Sequence, residues 1–377
     1  MIGAGPAGSS ATRAAAQRGA KVLLIDRRQR IGIPAQCAEF VPQWISHHAS
    51  FSLACVVQTV DKMVTHLPDG TDYEMKSPGY MLDRSLFDKE LATSAVLAGA
   101  KISIETRAVG LSTEGLAVER GSGKEMVRSK IFIGADGVHS VIARFVGQLS
   151  LKSIVALQYE VIMPGPQNHM DVYFHKDYEG GYAWFFPKGR TANVGVGIVA
   201  QKTALLLERM GHFLDCLVGS RKLSNVEIVA KTGGSIPCET RRTVFDNILL
   251  VGDAAGHAHS ITGAGILNAV IAGEIAGKIA AEAVEKGNLR HLENYEIECE
   301  EAFGKPLAYS ALKREFLEKS WNVPGIDFEG LIRKTWVGFK EYYEDRRKIP
   351  LSPPFSKGGS CPSLIKRGKG RIKKEEE

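Results

Sequence analysis

Met1-Ile-Gly3-Ala-Gly5-Pro6-Ala7-Gly8, the Ala-rich run Ser9–Arg18 and the apolar run Lys21-Val-Leu-Leu-Ile-Asp26 decide the fold. The glycines have the spacing of a tight turn between a strand and a helix. Gly3 permits the turn, Gly5 lets the backbone approach a pyrophosphate, and Gly8 lets the helix pack against the sheet. The helix start offers free N–H groups and a partial positive charge to phosphates. Gly19 stops the helix, and the strand that follows delivers an acid 18 residues after Gly8. There Asp26 can accept hydrogen bonds from ribose hydroxyls. Gly3, Gly5, Pro6, Ala7, Gly8, Asp26 and the adjoining Arg27 are therefore candidate nucleotide-binding residues. A strand of about five residues normally precedes such a turn, because it is the central strand of a parallel sheet. Here only Met1 and Ile2 stand before Gly3. The expectation is a chain that starts late, with a hole in the middle of its sheet.

Two further motifs follow the same strand-to-turn pattern. Ile131-Phe-Ile-Gly134-Ala-Asp136-Gly137 runs from apolar residues into a turn, with Arg144 beyond it. Asn247-Ile-Leu-Leu-Val-Gly252-Asp253-Ala-Ala-Gly256 repeats the pattern, then Thr262-Gly263-Ala-Gly265-Ile266 opens a long Ala/Gly/Ile helix reaching about Val284. Open α/β sheets bind ligands at the C-terminal ends of their strands, where Asp253 is placed to bond a polyol hydroxyl. It could equally cap the following helix. The N–H groups at Gly263, Gly265 and Ile266 can face a polar ring edge.

Composition narrows the class. The chain has 377 residues and a net charge of +6. Its last 32 residues alone carry a net +7, leaving a net −1 for the rest. The basic excess belongs to a tail, which removes nucleic acid as a partner of the body. The six cysteines form no CxxC pair, which argues against an iron–sulfur cluster or structural zinc, so no metal is expected. Reduced thiols and a cytoplasmic location are expected. Neither a signal peptide nor an apolar run long enough to span a membrane is visible.

Between the motifs, Arg27–Ser52 reads as loop. Cys55–Tyr73 reads as two strands joined at Pro68-Asp69-Gly70. Asp83–Leu97 has helical periodicity. Further strands are expected at Lys101–Glu105, Gly115–Arg120, Ser129–Ile133, Glu160–Met163, Met170–Phe174, Gly181–Phe186 and Ala192–Val199. Helices are expected at Thr203–Val218, Asn294–Lys319 and Phe328–Tyr343. From Ile349 the chain turns Pro-, Gly- and Lys/Arg-rich and should be disordered. Tyr182, Trp184 and Phe186 alternate and so share one face of their strand. That face is either ordinary core or the wall of an apolar site.

The three motifs, in this order, resemble the para-hydroxybenzoate hydroxylase-like group of FAD-dependent oxidoreductases, from Met1 to about Val284. The resemblance implies that the first motif holds the ADP half of FAD, that Gly134, Asp136 and Gly137 lie near the pyrophosphate, and that Gly252 and Asp253 bind the ribityl chain. It makes Arg84, in Asp83-Arg84 with Phe87-Asp88, a candidate FAD contact, a surface salt bridge being the alternative. It also places Val109 where a backbone contact to adenine is made. Tyr182-Ala-Trp184-Phe-Phe-Pro187-Lys-Gly189, with Gln36-Cys37-Ala-Glu39, resembles the geranylgeranyl reductases within that group. This implies that Cys37 lies by the flavin and that the aromatic strand lines an apolar tunnel. Three departures stand out: the first strand is missing, Ser260 stands where Pro is usual, and Ala264 stands where Glu is frequent.

The expected fold is α/β. A Rossmann-like FAD-binding domain, its first strand nearly absent, is built from 1–55, 80–150 and 235–290. A mixed or antiparallel β-sheet substrate domain comprises 56–79 and 151–234 and covers the flavin face. A C-terminal helical region, 291–345, caps the substrate end, and 346–377 form a disordered basic tail. The expected activity is FAD-dependent reduction of C=C bonds in a polyprenyl chain, with Cys37, Tyr182 and Trp184 as candidate catalytic-site residues. No second dinucleotide motif occurs, so the electron donor is a transient NAD(P)H or a protein such as reduced ferredoxin. The isoprenoid lipid substrate suggests peripheral contact with the inner membrane face. The alternatives are a flavin-dependent aromatic monooxygenase, an electron-transfer flavoprotein, or a truncated non-catalytic product.

Overall fold

A computed structural model describes residues 1–344. The expectation for the basic tail lies outside the described residues. The chain opens with helix α1 (Pro6–Ala16) and strand β1 (Leu23–Ile25), then β2 (Phe40–Pro42), β3 (Val56–His66), β4 (Asp72–Leu82), α2 (Arg84–Leu97) and β5 (Lys101–Ser103). A three-stranded antiparallel meander follows, β6 (Thr106–Ser112), β7 (Gly115–Arg120) and β8 (Gly123–Val127), then β9 (Phe132–Gly134) and α3 (Val141–Phe145). Next come β10 (Ser153–Ile162), β11 (His169–Tyr173), β12 (Tyr182–Lys188), β13 (Thr191–Val199), α4 (Leu206–Gly219) and β14 (Ile228–Pro237). The remainder is β15 (Val244–Phe245), β16 (Ile248–Leu250), α5 (Ile266–Glu285), α6 (Asn294–Cys299), α7 (Lys305–Ser320), α8 (Phe328–Thr335) and α9 (Glu341–Glu344).

The Rossmann-like sheet consists of β1–β5 on one side and β15–β16–β9 on the other. The expected hole between them is closed at its ligand-binding edge. Ile2 bridges in parallel to both Ile25 and Gly134. Ile2 N–H donates to Ile133 O at 2.9 Å, Gly3 N–H to Ile25 O at 2.8 Å, and Ala135 N–H to Ile2 O at 2.8 Å. Three residues thus do at the strand's C-terminal end what the glycine turn needs. Helix α1 lies over this sheet and against α5, where two glycines make the close approach possible. A Cβ on Gly273 would fall 2.3 Å from Ala7 O, and one on Gly277 would fall 2.1 Å from Ala11 O.

The second sheet has eight strands in the order β14–β10–β13–β12–β11–β3–β4–β2, all antiparallel except the β11–β3 pair. Its two faces follow the period-2 alternation of β12. Ala183 and Phe185 point into a core closed by α4, with Met210, Phe213 and Leu217. Tyr182, Trp184 and Phe186 point the other way, toward Phe328, Ile332 and Trp336. Both readings of the aromatic face therefore hold together, since it is core at Phe186 and cavity wall at Tyr182 and Trp184. Opposite the two rings stand glycines: Trp184 pairs with Gly195 and Tyr182 with Gly197. A Cβ on Gly195 would lie 2.1 Å from the Trp184 ring.

Several elements differ from the sequence reading. Phe40–Pro42 and Ile228–Pro237 are strands, and β10 begins at Ser153 rather than Glu160. The expected helix Asn294–Lys319 is interrupted by a π-helical turn at Glu300–Gly304. The expected helix Phe328–Tyr343 breaks at Trp336, whose extended backbone (φ −103°, ψ 132°) turns the indole into the core. The C-terminal helices also divide their packing. Tyr295, Cys299, Phe303 and Leu307 bury against α5, whereas Trp321, Phe328, Leu331 and Ile332 cover the eight-stranded sheet.

Gly195→Ala is expected to destabilise the protein by about 1–3 kcal/mol through overpacking against Trp184. Gly211→Ala, exposed in α4 with nothing within 4 Å of its added Cβ, is expected to stabilise it by up to about 1 kcal/mol. Urea unfolding midpoints of both variants check the contrast.

Candidate active site

The dinucleotide turn is set by three glycines with different surroundings. Gly3 has φ +101°, and a Cβ there would sit 2.4 Å from Ala135 O. A Cβ on Gly8 would sit 1.9 Å from Gly3 O. Gly5, the N-cap of α1, has nothing within 4 Å on its Cβ side. Pro6 opens the helix, with no acid in the first turn and no side-chain cap, so no side chain meets the N–H groups of the first turn that follow it. Ala7 packs beneath Gly252 at the third motif. Asp26 accepts Ala4 N–H at 2.7 Å and Arg28 N–H at 2.8 Å, which ties the end of β1 to the turn. Each of its oxygens keeps lone-pair capacity for a ribose. The Arg27 side chain is exposed. Val109 is 37% exposed and sits at a bulge in β6 between Ala108 and Gly110, outside the ladder to β7.

Asp136 caps α3. It accepts from Ser140 Oγ at 2.6 Å and from Val141 N–H at 2.6 Å. Asp253 does not cap α5, whose N-cap is Gly265, beside Ile266. Among the described residues no donor meets the Asp253 carboxylate. Burial raises its pKa, with the positive charge of Arg84 pulling the other way. Gly265 lies against it, its would-be Cβ 3.4 Å from Oδ1, and Gly263 (φ +68°) turns the chain into α5.

Arg84 is not a surface ion pair. Its guanidinium is mostly buried and bonds both oxygens of Asp88, at 2.8 and 2.9 Å. It also lies against Cys37, a half-buried residue. Burial pushes the Cys37 thiol up, Arg84 opposing, so the group stays S–H at neutral pH. The Cys37 loop is fastened from three sides. Gln158 Nε2 donates to Cys37 O at 3.0 Å, and Trp184 Nε1 donates to Gln158 Oε1 at 3.1 Å. Glu39, 3% exposed and in the left-handed region at φ 69°, accepts Arg84 N–H at 3.0 Å, Asn193 Nδ2 at 2.8 Å and Lys188 Nζ at 2.6 Å. The Tyr182 hydroxyl donates to Thr262 O at 2.6 Å. Cys37, Tyr182 and Trp184 are therefore joined by hydrogen bonds to one another or to the Thr262–Gly265 turn.

Sequence reasoning missed four of these supports. Gln158 and Asn193 are lone amides in apolar strands, a visible signal of a buried polar partner. Lys188 ends an apolar strand and carries a similar signal. Arg241 left none. It is 8% exposed, and its Nε and Nη2 have no acceptor. Neighbouring Arg242, by contrast, bonds Val244 O at 2.8 Å and stacks on Phe245. Arg241 follows Glu239 and Thr240, which lie against Gly256, and it feels the charge of Asp136. It is thus at the C-terminal edge of the Rossmann-like sheet. Among the described residues no group of three or more His, Cys, Asp or Glu could hold a metal ion.

These features fit a flavin dinucleotide. Gly5 leaves room for the pyrophosphate at the helix start, Asp253 is an unmet acceptor, and Arg241 is an unmet cation. Residues 153–236 match the geranylgeranyl reductase catalytic domain, and residues 1–60 match an NAD(P)-binding Rossmann-like domain. A digeranylgeranylglycerophospholipid reductase of Methanosarcina acetivorans is 39% identical over 310 residues, 77% of this chain and 76% of that protein. The chain belongs to the geranylgeranyl reductase family. A second such reductase, from Methanococcus aeolicus, is 35% identical over 343 residues, 85% and 88% of the two chains. A geranylgeranyl bacteriochlorophyll reductase-like protein of Thermoplasma acidophilum superposes with a TM-score of 0.80 at 27% identity, over 92% of this chain and 98% of that one. A flavin-dependent brominase shares the fold at 16% identity, with a TM-score of 0.70, over 84% and 88% of the two chains. The protein is thus an FAD-dependent oxidoreductase of this reductase family.

Asp253→Ala and Arg241→Met are each expected to weaken FAD binding by roughly 10–100-fold, the effect of losing one hydrogen bond to a charged group. Flavin fluorescence titration of the apoprotein measures it. If Arg241 has no cofactor role, the variant will bind FAD normally and be more stable, because an unpaired buried charge has gone. Burial also sets a pH limit. It pushes His257 down to about 3 and His259 to about 4, against 6.5 for a free imidazole. Both stay neutral when folded but charge when unfolded. Their contribution is full above pH 6.5 and is lost as pH falls, by roughly 2 kcal/mol each at pH 5. His66, raised by Asp171 and Asp72 against the lowering effect of its burial, works in the opposite direction. Urea midpoints between pH 7 and pH 5 should fall in the wild type and fall less in His257→Phe.

Proposed function

We propose that this protein saturates isolated C=C bonds of a polyprenyl lipid chain. The single observation that carries the reading is one largely apolar cavity walled by Tyr182 and Trp184 of the aromatic strand and by Gly263 of the Thr262–Gly265 turn, with the Cys37 loop tied to Trp184 through Gln158. Kinship with reductases named for digeranylgeranylglycerophospholipids supports the substrate class. The chemistry supplied by reduced FAD is delivery of a hydride to one alkene carbon, the other carbon taking a proton, so each bond gains H₂ overall.

The chain's own residues supply alignment and shelter. An isolated alkene is a poor electrophile, so its distance and angle to the hydride donor govern the rate. Trp184, held by Gln158, and Tyr182, held by Thr262 O, give two fixed ring walls against which a prenyl chain can lie. Trp184 is buried and Tyr182 half-buried, so the walls they form limit the access of water to the reacting carbons. Cys37, whose carbonyl is tied to Trp184 through Gln158, keeps a neutral S–H because burial holds its proton on Sγ. Gly3, Gly5, Pro6, Ala7, Gly8, Asp26, Arg27 and Val109 are read as holding the ADP half of the cofactor. Asp136, Gly252, Asp253, Gly263, Gly265, Ile266 and Arg84 are read as lining the rest. The electron donor is read as transient NAD(P)H or reduced ferredoxin. Among the described residues no helix is long and apolar enough to cross a membrane. A lipidic substrate is reached in this reading by peripheral contact with the inner face from the cytoplasm.

Chemically reduced, FAD-loaded protein incubated anaerobically with a geranylgeranyl lipid should raise the lipid's mass by one H₂ per bond. No mass gain by loaded, reduced protein would sink the proposal, as would oxygen-dependent hydroxylation of a phenol. Cys37→Ala should slow turnover on the order of 10²-fold by misplacing the reacting carbons. Unchanged turnover would remove Cys37 from the site.

A further inference from the structure

Beside Tyr182 and Trp184 lies a cavity of about 330 Å³, a volume that includes its opening to solvent. Its wall is largely apolar, built from those two rings, Ile154, Ile236 and Ile261, yet Arg314 lines it as well. Arg314 projects from α7 and is only 4% exposed. Its Nε donates to Glu318 at 2.7 Å, and its Nη1 donates to the carbonyl of Gly180. Its Nη2 is buried and has no acceptor. A guanidinium does not give up its proton in a protein, so it cannot escape this cost by becoming neutral. A buried donor left unmet costs about 1–3 kcal/mol, more when charged. Ser260 lines the same cavity. Its N–H is satisfied by Ser310 Oγ, whereas its own hydroxyl makes no hydrogen bond among the described residues. The other polar groups on the wall are committed: Tyr182 OH to Thr262 O, and the Cys238 thiol weakly to Ile236 O.

A purely hydrocarbon ligand would leave the Arg314 Nη2 and Ser260 Oγ donors unmet. We propose that this cavity takes the polar end of the prenyl substrate, with a phosphate oxygen accepting from Arg314 Nη2 and Ser260 Oγ and the chain leaving along Tyr182 and Trp184. An anion is favoured over a neutral oxygen because Glu318, which shares Arg314, is one-third exposed and its charge is screened by solvent. The inference rests on the prenyl-reductase reading and adds to it the direction in which the substrate lies.

The test uses FAD-loaded protein and three probes: geranylgeranyl phosphate, geranylgeraniol of the same chain length, and inorganic phosphate. Binding is read from the perturbation of the flavin absorbance, and reduction from product mass. The wild type should bind the prenyl phosphate about tenfold or more tighter than the alcohol, as expected for a charge-assisted bond. Arg314→Met should bring the two affinities within about twofold of each other, chiefly by weakening the phosphate. Arg314→Lys, which keeps the charge but loses the fork, should fall between. Ser260→Ala should lower the preference by a smaller factor and serves if Arg314→Met does not fold. Equal wild-type affinities would overturn the inference. So would an Arg314→Met variant that loses both probes in equal measure, since the residue would then be structural. Inorganic phosphate competing as well as the prenyl phosphate would assign the donors to the free anion rather than to a lipid end, and would also overturn it. Reduction of both prenyl probes without a preference leaves the parent reading standing, whereas reduction of neither fails the parent reading itself.

Discussion

A carboxylate withdrawn from water must be surrounded by donors, and Glu39 is surrounded by donors from three separate parts of the chain. The N–H of Arg84 comes from the start of α2, the ammonium of Lys188 from the end of β12, and the amide of Asn193 from β13. Removing one partner of such a buried pair costs about 3–5 kcal/mol, because the remaining charge has nowhere to go. The left-handed backbone at Glu39 is a further cost of roughly 1–2 kcal/mol that these bonds must exceed. What they secure is the position of Cys37, two residues earlier, between the nucleotide-binding sheet and the aromatic strand. The rest of the site is arranged around that fixed loop. Gln158 ties its carbonyl to Trp184, and Arg84, anchored by Asp88, lies over its thiol.

The nucleotide-binding half was legible because its residues answer to geometry within a few positions of themselves. Gly3 and Gly8 meet backbone where a Cβ would clash, Gly5 faces open space, and Asp26 closes the neighbouring strand. The alternation of β12 was equally local, and its two faces separate as period 2 requires. Other elements are decided elsewhere in the chain. Ile228–Pro237 carries Gly233-Gly234 and an exposed flank and has little strand character of its own. It is a strand because β10 offers it an edge to pair with. Phe40–Pro42 is likewise recruited by β4. The break at Trp336 follows from tertiary packing, in which the indole enters the aromatic core and bonds Thr65 Oγ1.

Within the site the same division holds. The motif residues are candidates that spacing alone picks out, whereas the lone polar residues in apolar strands signal a buried partner without saying which. Gln158, Asn193 and Lys188 lie more than a hundred residues from the loop they hold. Arg241 could be recognised only once its burial without an acceptor was known, because beside Arg242 it looks like half of an ordinary basic pair. Asp253 differed in another way. Its position at the end of a buried strand was clear, but whether it capped a helix or stood free depended on where α5 began, and Gly265 moved that start away from it.

The glycines facing the aromatic strand carry a consequence for how such a site diversifies. Trp184 and Tyr182 lie across from Gly195 and Gly197, and Gly197 itself forms part of the cavity wall. The bore of the cavity is therefore set on one side by the two rings and on the other by the hydrogen atoms of Gly197. Exchanging one aromatic side chain for another reshapes the surface a substrate touches. Adding a single carbon to β13 narrows the passage itself. In the prenyl-reductase reading, the girth of chain the site admits is thus set on the same strand that sends Asn193 to Glu39.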